Sequence, residues 1–208
     1  MLKNIIWDVD GTLFDTYPAM ARAFRLALND LDTDSPLDWI EGLARGSMDE
    51  CIRSLAAEHG LSAEQVTAGF SAHYAVTKAG DEPPFPGVLQ VCEHVCRIGG
   101  KNLIVTHRSR RGTERLLAGN KMQQYFAGWL TADDGYPRKP DPAAFNAALQ
   151  LHQLRRDETL AVGDRDLDIQ AGRAADLFTV RFGTAAADAS ADLTIQDYSA
   201  LQAVLAPA

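Results

Sequence analysis

Asp8 and Asp10 stand two residues apart in the segment Ile-Ile-Trp-Asp-Val-Asp-Gly-Thr, directly after an apolar run and directly before a glycine. Two carboxylates so placed can divide labour, one attacking an electrophile while the other handles protons, provided their surroundings push their pKa values apart. A turn begun at Gly11 can swing the second acid back over the site. Attack on phosphorus by a carboxylate gives an acyl phosphate and splits one hard displacement into two easier steps. The charge spread over a transferring phosphoryl group calls for a divalent cation and fixed donors. Asp164 and Asp168, four residues apart and so close together on a first helical turn, offer hard oxygen ligands that would complete a Mg2+ site with Asp8. Thr106 and Lys139 bring a hydroxyl and an ammonium for the phosphoryl oxygens. Taken singly, an Asp-x-Asp at a strand end is commonly a turn or a helix cap, and Lys139 could be a solvated loop lysine ahead of an Asp141 cap. The conjunction points to chemistry.

These residues must be carried by elements that converge. Apolar, β-branched runs predict strands at 2–9, 101–106, 129–131, 159–163 and 178–182, with a weaker one at 193–195. Helical periods lie between most of them: one after Pro86-Gly87 closed by Gly99-Gly100, one capped by Ser109, one opened by Asp141-Pro142. Strand alternating with helix predicts an α/β fold, a doubly wound parallel sheet of Rossmann-like kind, whose ligands bind beyond the carboxyl ends of the strands. Residues 15–83 break the alternation with helical patterns only. There Ser47 to Glu50 and Ser62 to Gln65 read as capping boxes and Gly60 as a stop. The expected organisation is a catalytic core of residues 1–14 and 84–208 and an inserted helical cap of residues 15–83, re-entering through the Pro-rich stretch 82–87.

Composition narrows the partners. With 28 Asp and Glu against 20 Lys and Arg, the net charge of -8 disfavours nucleic acid and anionic membrane, and any anionic substrate must be met by local positive charge. The N-terminal apolar run is too short for a secretory signal and no stretch approaches the roughly 20 apolar residues of a membrane span, so a cytoplasmic location is expected. Cys51, Cys92 and Cys96 contain no Cys-x-x-Cys, which argues against a zinc site or disulfide framework. Cys92 and Cys96 are expected as buried thiols on one helix face.

With those residues in view, the chain resembles the haloacid dehalogenase superfamily of aspartyl-phosphate hydrolases. Asp8-Val-Asp-Gly-Thr-Leu13 resembles its first motif, Leu103-Ile-Val-Thr106 the second, Lys139-Pro-Asp-Pro142 the third and Gly163-Asp-Arg-Asp-Leu-Asp168 the fourth. Within the superfamily it resembles the subgroup with a helical cap, phosphoglycolate phosphatases and their relatives above all. The resemblance implies a Mg2+-dependent phosphatase acting on a small phosphorylated substrate, with phosphoglycolate the leading candidate, and a monomer or small homo-oligomer. It implies Asp8 as nucleophile and metal ligand, Asp10 as acid/base with its carbonyl on the metal, Asp164 as third metal ligand and Asp168 as supporting acid. Thr106 and Lys139 would grip the phosphoryl group, helped by amides near Gly11 and His107. The loop 11–16 resembles the element by which such a cap opens and closes.

Two departures stand out: His107-Arg108 follows the second-motif Thr where the family often has Asn, and Arg165 replaces the Ser common in the fourth motif. Rival readings are a sugar-phosphate mutase of the same fold and, outside the enzymes, a phospho-receiver or binding module. The first lacks its usual cap His among Tyr17, Pro18, Ala19 and Met20; a receiver has no inserted cap.

Overall fold

The structure, a computed structural model, describes residues 1–183 and 190–207. In chain order its elements are β1 (Asn4–Trp7), α1 (Tyr17–Asn29), α2 (Leu37–Gly46), α3 (Met48–His59), α4 (Ala63–Ala75), α5 (Val88–Arg97), β2 (Asn102–Val105), α6 (Arg110–Gly119), β3 (Phe126–Leu130), α7 (Ala143–His152), β4 (Thr159–Gly163), α8 (Asp166–Ala174), β5 (Phe178–Phe182) and β6 (Leu193–Ile195). They form two compact units, Met1–Phe14 with Pro84–Ala208, and Asp15–Pro83. Among the described residues no helix is long and apolar enough to cross a membrane.

In the first unit six parallel strands lie in the order β3-β2-β1-β4-β5-β6. Successive residues of β1 point to opposite faces. Ile5 and Trp7 enter a cluster with Val88, Val91 and Val95 of α5, while Ile6 enters one with Phe145 and Ala148 of α7 and Ala171 of α8. Helices therefore cover both faces, which is why β1 reads as an unbroken apolar run. Two buried polar side chains between the layers are matched to each other and to the backbone. The Trp7 indole donates to Asn102 Oδ1 at 3.0 Å, and the Asn102 amide donates to the carbonyls of Cys92 and Tyr125.

Strand β3 begins earlier than the expected 129–131. Its Ala127-Gly128 centre hides the β-branched signature, and a Cβ on Gly128 would lie 2.7 Å from His152 Nε2, so the ring would have to shift. Cys96 also departs from expectation: Cys92 is buried in the core, but Cys96 is exposed, four residues on yet at the rim of α5. Asp133 and Asp134, both exposed after β3, accept from Arg110 N and from Thr131 respectively.

The second unit has its own core, in which Phe24 of α1 stacks on Phe70 of α4 at 4.1 Å, beside Ile40, Cys51, Leu55 and Val66. Ser62 and Gln65 form the reciprocal capping box, Ser47 Oγ accepts from Glu50 N, and Gly60 stops α3 at φ 64°.

Helices α1 and α4 touch through small residues, and this sets up a matched test. A Cβ on Gly69 would meet the Ala27 Cβ at 2.7 Å, whereas one on Gly42 of α2 meets nothing within 4 Å. Gly42→Ala should stabilise the second unit by about 0.5–1 kcal/mol, the usual helical gain, and Gly69→Ala should destabilise it by about 1–3 kcal/mol through overpacking. Urea unfolding curves of the two variants, compared with the parent, check the opposite signs.

Candidate active site

The sheet order brings the chemistry together. From β1 the chain moves outward through β2 to β3, then returns to place β4 on the other side of β1. This is a switch point, and the segments following β2, β1 and β4 carry Thr106, Asp8 and Asp164. Beyond β1 the Val9 carbonyl accepts from Leu13 N at 3.0 Å and Phe14 N at 3.1 Å, winding the chain into a tight turn. Gly11 occupies that turn at φ 73°, a conformation costly for other residues. Its own N–H donates to the Phe14 carbonyl at 3.0 Å. The amide expected to help hold phosphoryl oxygens is therefore committed within the turn, and what Gly11 gives the site is the shape of the loop.

Two further contacts fix this turn. Thr12 Oγ1 donates to Asp164 Oδ1 at 3.2 Å, and the Tyr198 hydroxyl donates to the Thr12 carbonyl at 2.7 Å. Tyr198 is fully buried, stacked on Phe182 at 4.4 Å, and burial holds its hydroxyl far above the usual range, as the neutral donor.

Lys139 is the charge at the centre. Its ammonium lies 2.7 Å from Asp8 Oδ1 and 2.6 Å from Asp168 Oδ1, with side-chain exposures of 1%, 2% and 3% for the three residues. Burial alone would lower the lysine's pKa, but Asp168 and Asp8 outweigh it and hold the ammonium charged. Asp168 is braced in turn, its Oδ2 accepting from Arg165 N at 3.1 Å. Gly163 leaves room for it: a Cβ there would sit 2.2 Å from the Asp168 Cβ.

Thr106 is buried, and its Oγ1 accepts from Arg108 N at 3.1 Å, a role that leaves the hydroxyl's own proton to donate. His107 Nε2 accepts from the backbone N of Lys139 at 2.9 Å. Burial, then Lys139 and Arg138, push the imidazole down to about 4, so it is neutral near pH 7 and serves as an acceptor. Thr106, His107 and Lys139 also line a cavity of about 250 Å³ with Thr131, Tyr136 and Arg138. Asp10 stands apart from the Lys139 cluster, held by the guanidinium of Arg108: Nε lies 3.1 Å from Oδ1 and 3.3 Å from Oδ2, and Nη2 also bonds Oδ1. Sequence reasoning noted Arg108 as a departure but missed this pairing, as it missed Thr12 and Tyr198. The signal for Arg108 was a cation two residues beyond a strand-end Thr.

The donor set can be tested against a divalent cation. Asp8, Asp164 and Asp168 each offer a carboxylate oxygen within 4.8 Å of the others. Asp168 is already committed to Lys139 and Arg165, which leaves Asp8 and Asp164 as the two best-placed carboxylates. Asp8 Oδ2 is buried without a hydrogen-bond partner, a costly state unless a cation meets it. Burial, opposed by Lys139 and reinforced by Asp168, raises Asp8 to about 6, the mark of carboxylates short of positive charge. Hard oxygen donors, an orphaned carboxylate oxygen and this deficit of charge fit a hard divalent cation.

Comparison with known proteins agrees with this geometry. A phosphoglycolate phosphatase of Cupriavidus necator is 30% identical over 98% of this chain and 93% of its own, and one of Aliivibrio fischeri is 28% identical over 100% and 98%. The crystal structure of a predicted phosphoglycolate phosphatase from Haemophilus somnus shares the fold with a TM-score of 0.87, at 19% identity over 98% of this chain and 97% of that one. The model of the haloacid dehalogenase-like hydrolases matches residues 5–182, so the chain belongs to that family.

Proposed function

We propose that this protein is a Mg2+-dependent phosphatase that hydrolyses a small phosphate monoester through a phosphoaspartate on Asp8, with phosphoglycolate its leading substrate. The observation that carries the reading is the buried Asp8 carboxylate, fixed through Oδ1 by Lys139 and orphaned at Oδ2. The relatives named phosphoglycolate phosphatase support the choice of substrate.

In the first step an Asp8 oxygen attacks phosphorus, the bond from phosphorus to the ester oxygen breaks, and Asp10 gives its proton to the departing oxygen. In the second, water attacks the acyl phosphate while Asp10 takes its proton, releasing phosphate and restoring Asp8. Lys139 and the Thr106 hydroxyl hold phosphoryl oxygens where negative charge gathers, and Lys139 keeps the nucleophile aimed. Asp8, Asp164 and the Asp10 carbonyl would hold Mg2+, which supplies charge neutralisation between the nucleophile and the phosphoryl group. Asp168 supports by holding Lys139. The unit 15–83 is proposed to act as the cap that selects the leaving group.

Asp8→Asn should reduce turnover of a phosphate monoester by at least about 1000-fold, since no other group replaces the attacking oxygen; wild-type turnover in that variant, by phosphate release, would refute the assignment. Asp10→Asn should slow turnover by about 100-fold to 10,000-fold, with alkyl esters losing more than activated aryl phosphates because only poor leaving groups need the proton. Equal losses on both would remove Asp10 from proton transfer. Millimolar Mg2+ alone should raise the melting temperature of the wild type at pH 7.5. The gain should shrink at pH 5, because Asp8, raised to about 6, is then protonated and must release that proton to bind the cation. In Asp164→Asn the gain should vanish; a wild-type melting point indifferent to Mg2+ would count against the metal.

A further inference from the structure

Arg108 holds the Asp10 carboxylate in a two-pronged pair, and we infer that Arg108 is a specificity-determining residue, selecting monoesters whose leaving group carries an anion close to the ester oxygen. This deepens the proposed phosphatase reading and rests on it.

The backbone of Arg108 is fixed. Its N–H donates to Thr106 Oγ1 at 3.1 Å and its carbonyl accepts from Ala132 N at 3.0 Å. The guanidinium presents Nε and Nη2 as a fork to both oxygens of Asp10. Such a fork matches a carboxylate in a way that a lysine ammonium cannot. The Arg108 side chain is 7% exposed and that of Asp10 is 19% exposed, so the pair opens to its surroundings on the Asp10 side.

Reach follows from bond lengths. To pass a proton, Asp10 must come within about 2.6–3.2 Å of the leaving oxygen. In a glycolate leaving group the carboxyl carbon is two bonds from that oxygen, so a guanidinium touching Asp10 lies within one small side-chain movement of the substrate's carboxylate. Asp10 thus occupies the fork that a substrate carboxylate would take. An incoming carboxylate takes over the fork, and Asp10 is released toward the ester oxygen. A neutral leaving group of the same shape has nothing to give in exchange, so a nearly buried guanidinium is left underpaired or Asp10 stays bound to it. Lys139 already serves Asp8 and Asp168, and the buried Arg181 is bonded to Asp166 and to the Asp164 carbonyl, so neither of these two cations is placed to meet a substrate's second anion.

The test compares kcat/KM for 2-phosphoglycolate with that for its uncharged amide, within each protein, so that differences in folding or active fraction cancel. The wild type should prefer the carboxylate by about 100-fold or more. In Arg108→Gln that ratio should fall toward one, largely through KM for the carboxylate, and Arg108→Lys, which keeps the charge and loses the fork, should lie between. A ratio unchanged in Arg108→Gln would overturn the inference, as would equal loss on both esters, which would make Arg108 a support for Asp10 alone. If the wild type hydrolyses aryl phosphates yet does not distinguish the two esters, the Arg108 inference fails and the phosphatase reading stands. If it hydrolyses no phosphate monoester at all, both fall.

Discussion

A lysine ammonium buried between two carboxylates is the constraint to which the rest of the core is fitted. Removing three charges from water costs several kcal/mol for each ion, and only close geometry and added hydrogen bonds offset it. The core supplies both. Asp8 arrives at the end of a central strand, Lys139 from the loop before α7, and Asp168 from the first turn of α8, and their contacts are 2.7 and 2.6 Å. Gly163 has no side chain because Asp168 occupies that space, and the neutral His107 ring accepts the Lys139 backbone N–H. The cluster still carries one more negative charge than positive. That surplus is one a bound cation would offset, and it leaves Asp8 anchored on one oxygen and open on the other.

Much of this was legible in the sequence for a physical reason. Strands β1, β4 and β5 are buried on both faces or nearly so, and such strands announce themselves as apolar runs ending in glycine or a polar turn. Because ligands gather at strand ends in this topology, reading the strands also located Asp8, Thr106 and Asp164. The caps at Ser62 and Ser109 were readable because each is a local hydrogen bond within three residues. Strand β3 was read short because Ala127 and Gly128 lack the β-branched signature by which strands are recognised.

What the sequence could not show were contacts between residues far apart in the chain. Asp10 and Arg108 are separated by nearly half its length, and nothing in either neighbourhood marks them as partners. The same holds for Thr12 with Asp164. Cys96 misled in a different way, because a four-residue spacing places two side chains on one helix face but does not say how far that face extends under the sheet.

The contact between Tyr198 and Thr12 joins a late turn of the described chain to the loop that follows β1. Synthesis on the ribosome proceeds from the amino end, so the loop bearing Asp8 and Asp10 is made well before Tyr198 and then waits. Until residue 198 has emerged, the Thr12 carbonyl lacks this donor and the hydrophobic seat formed by Trp7 and Phe182 lacks its cover. The nascent chain therefore holds Asp8 and Asp10 long before the turn that carries them has all of its contacts.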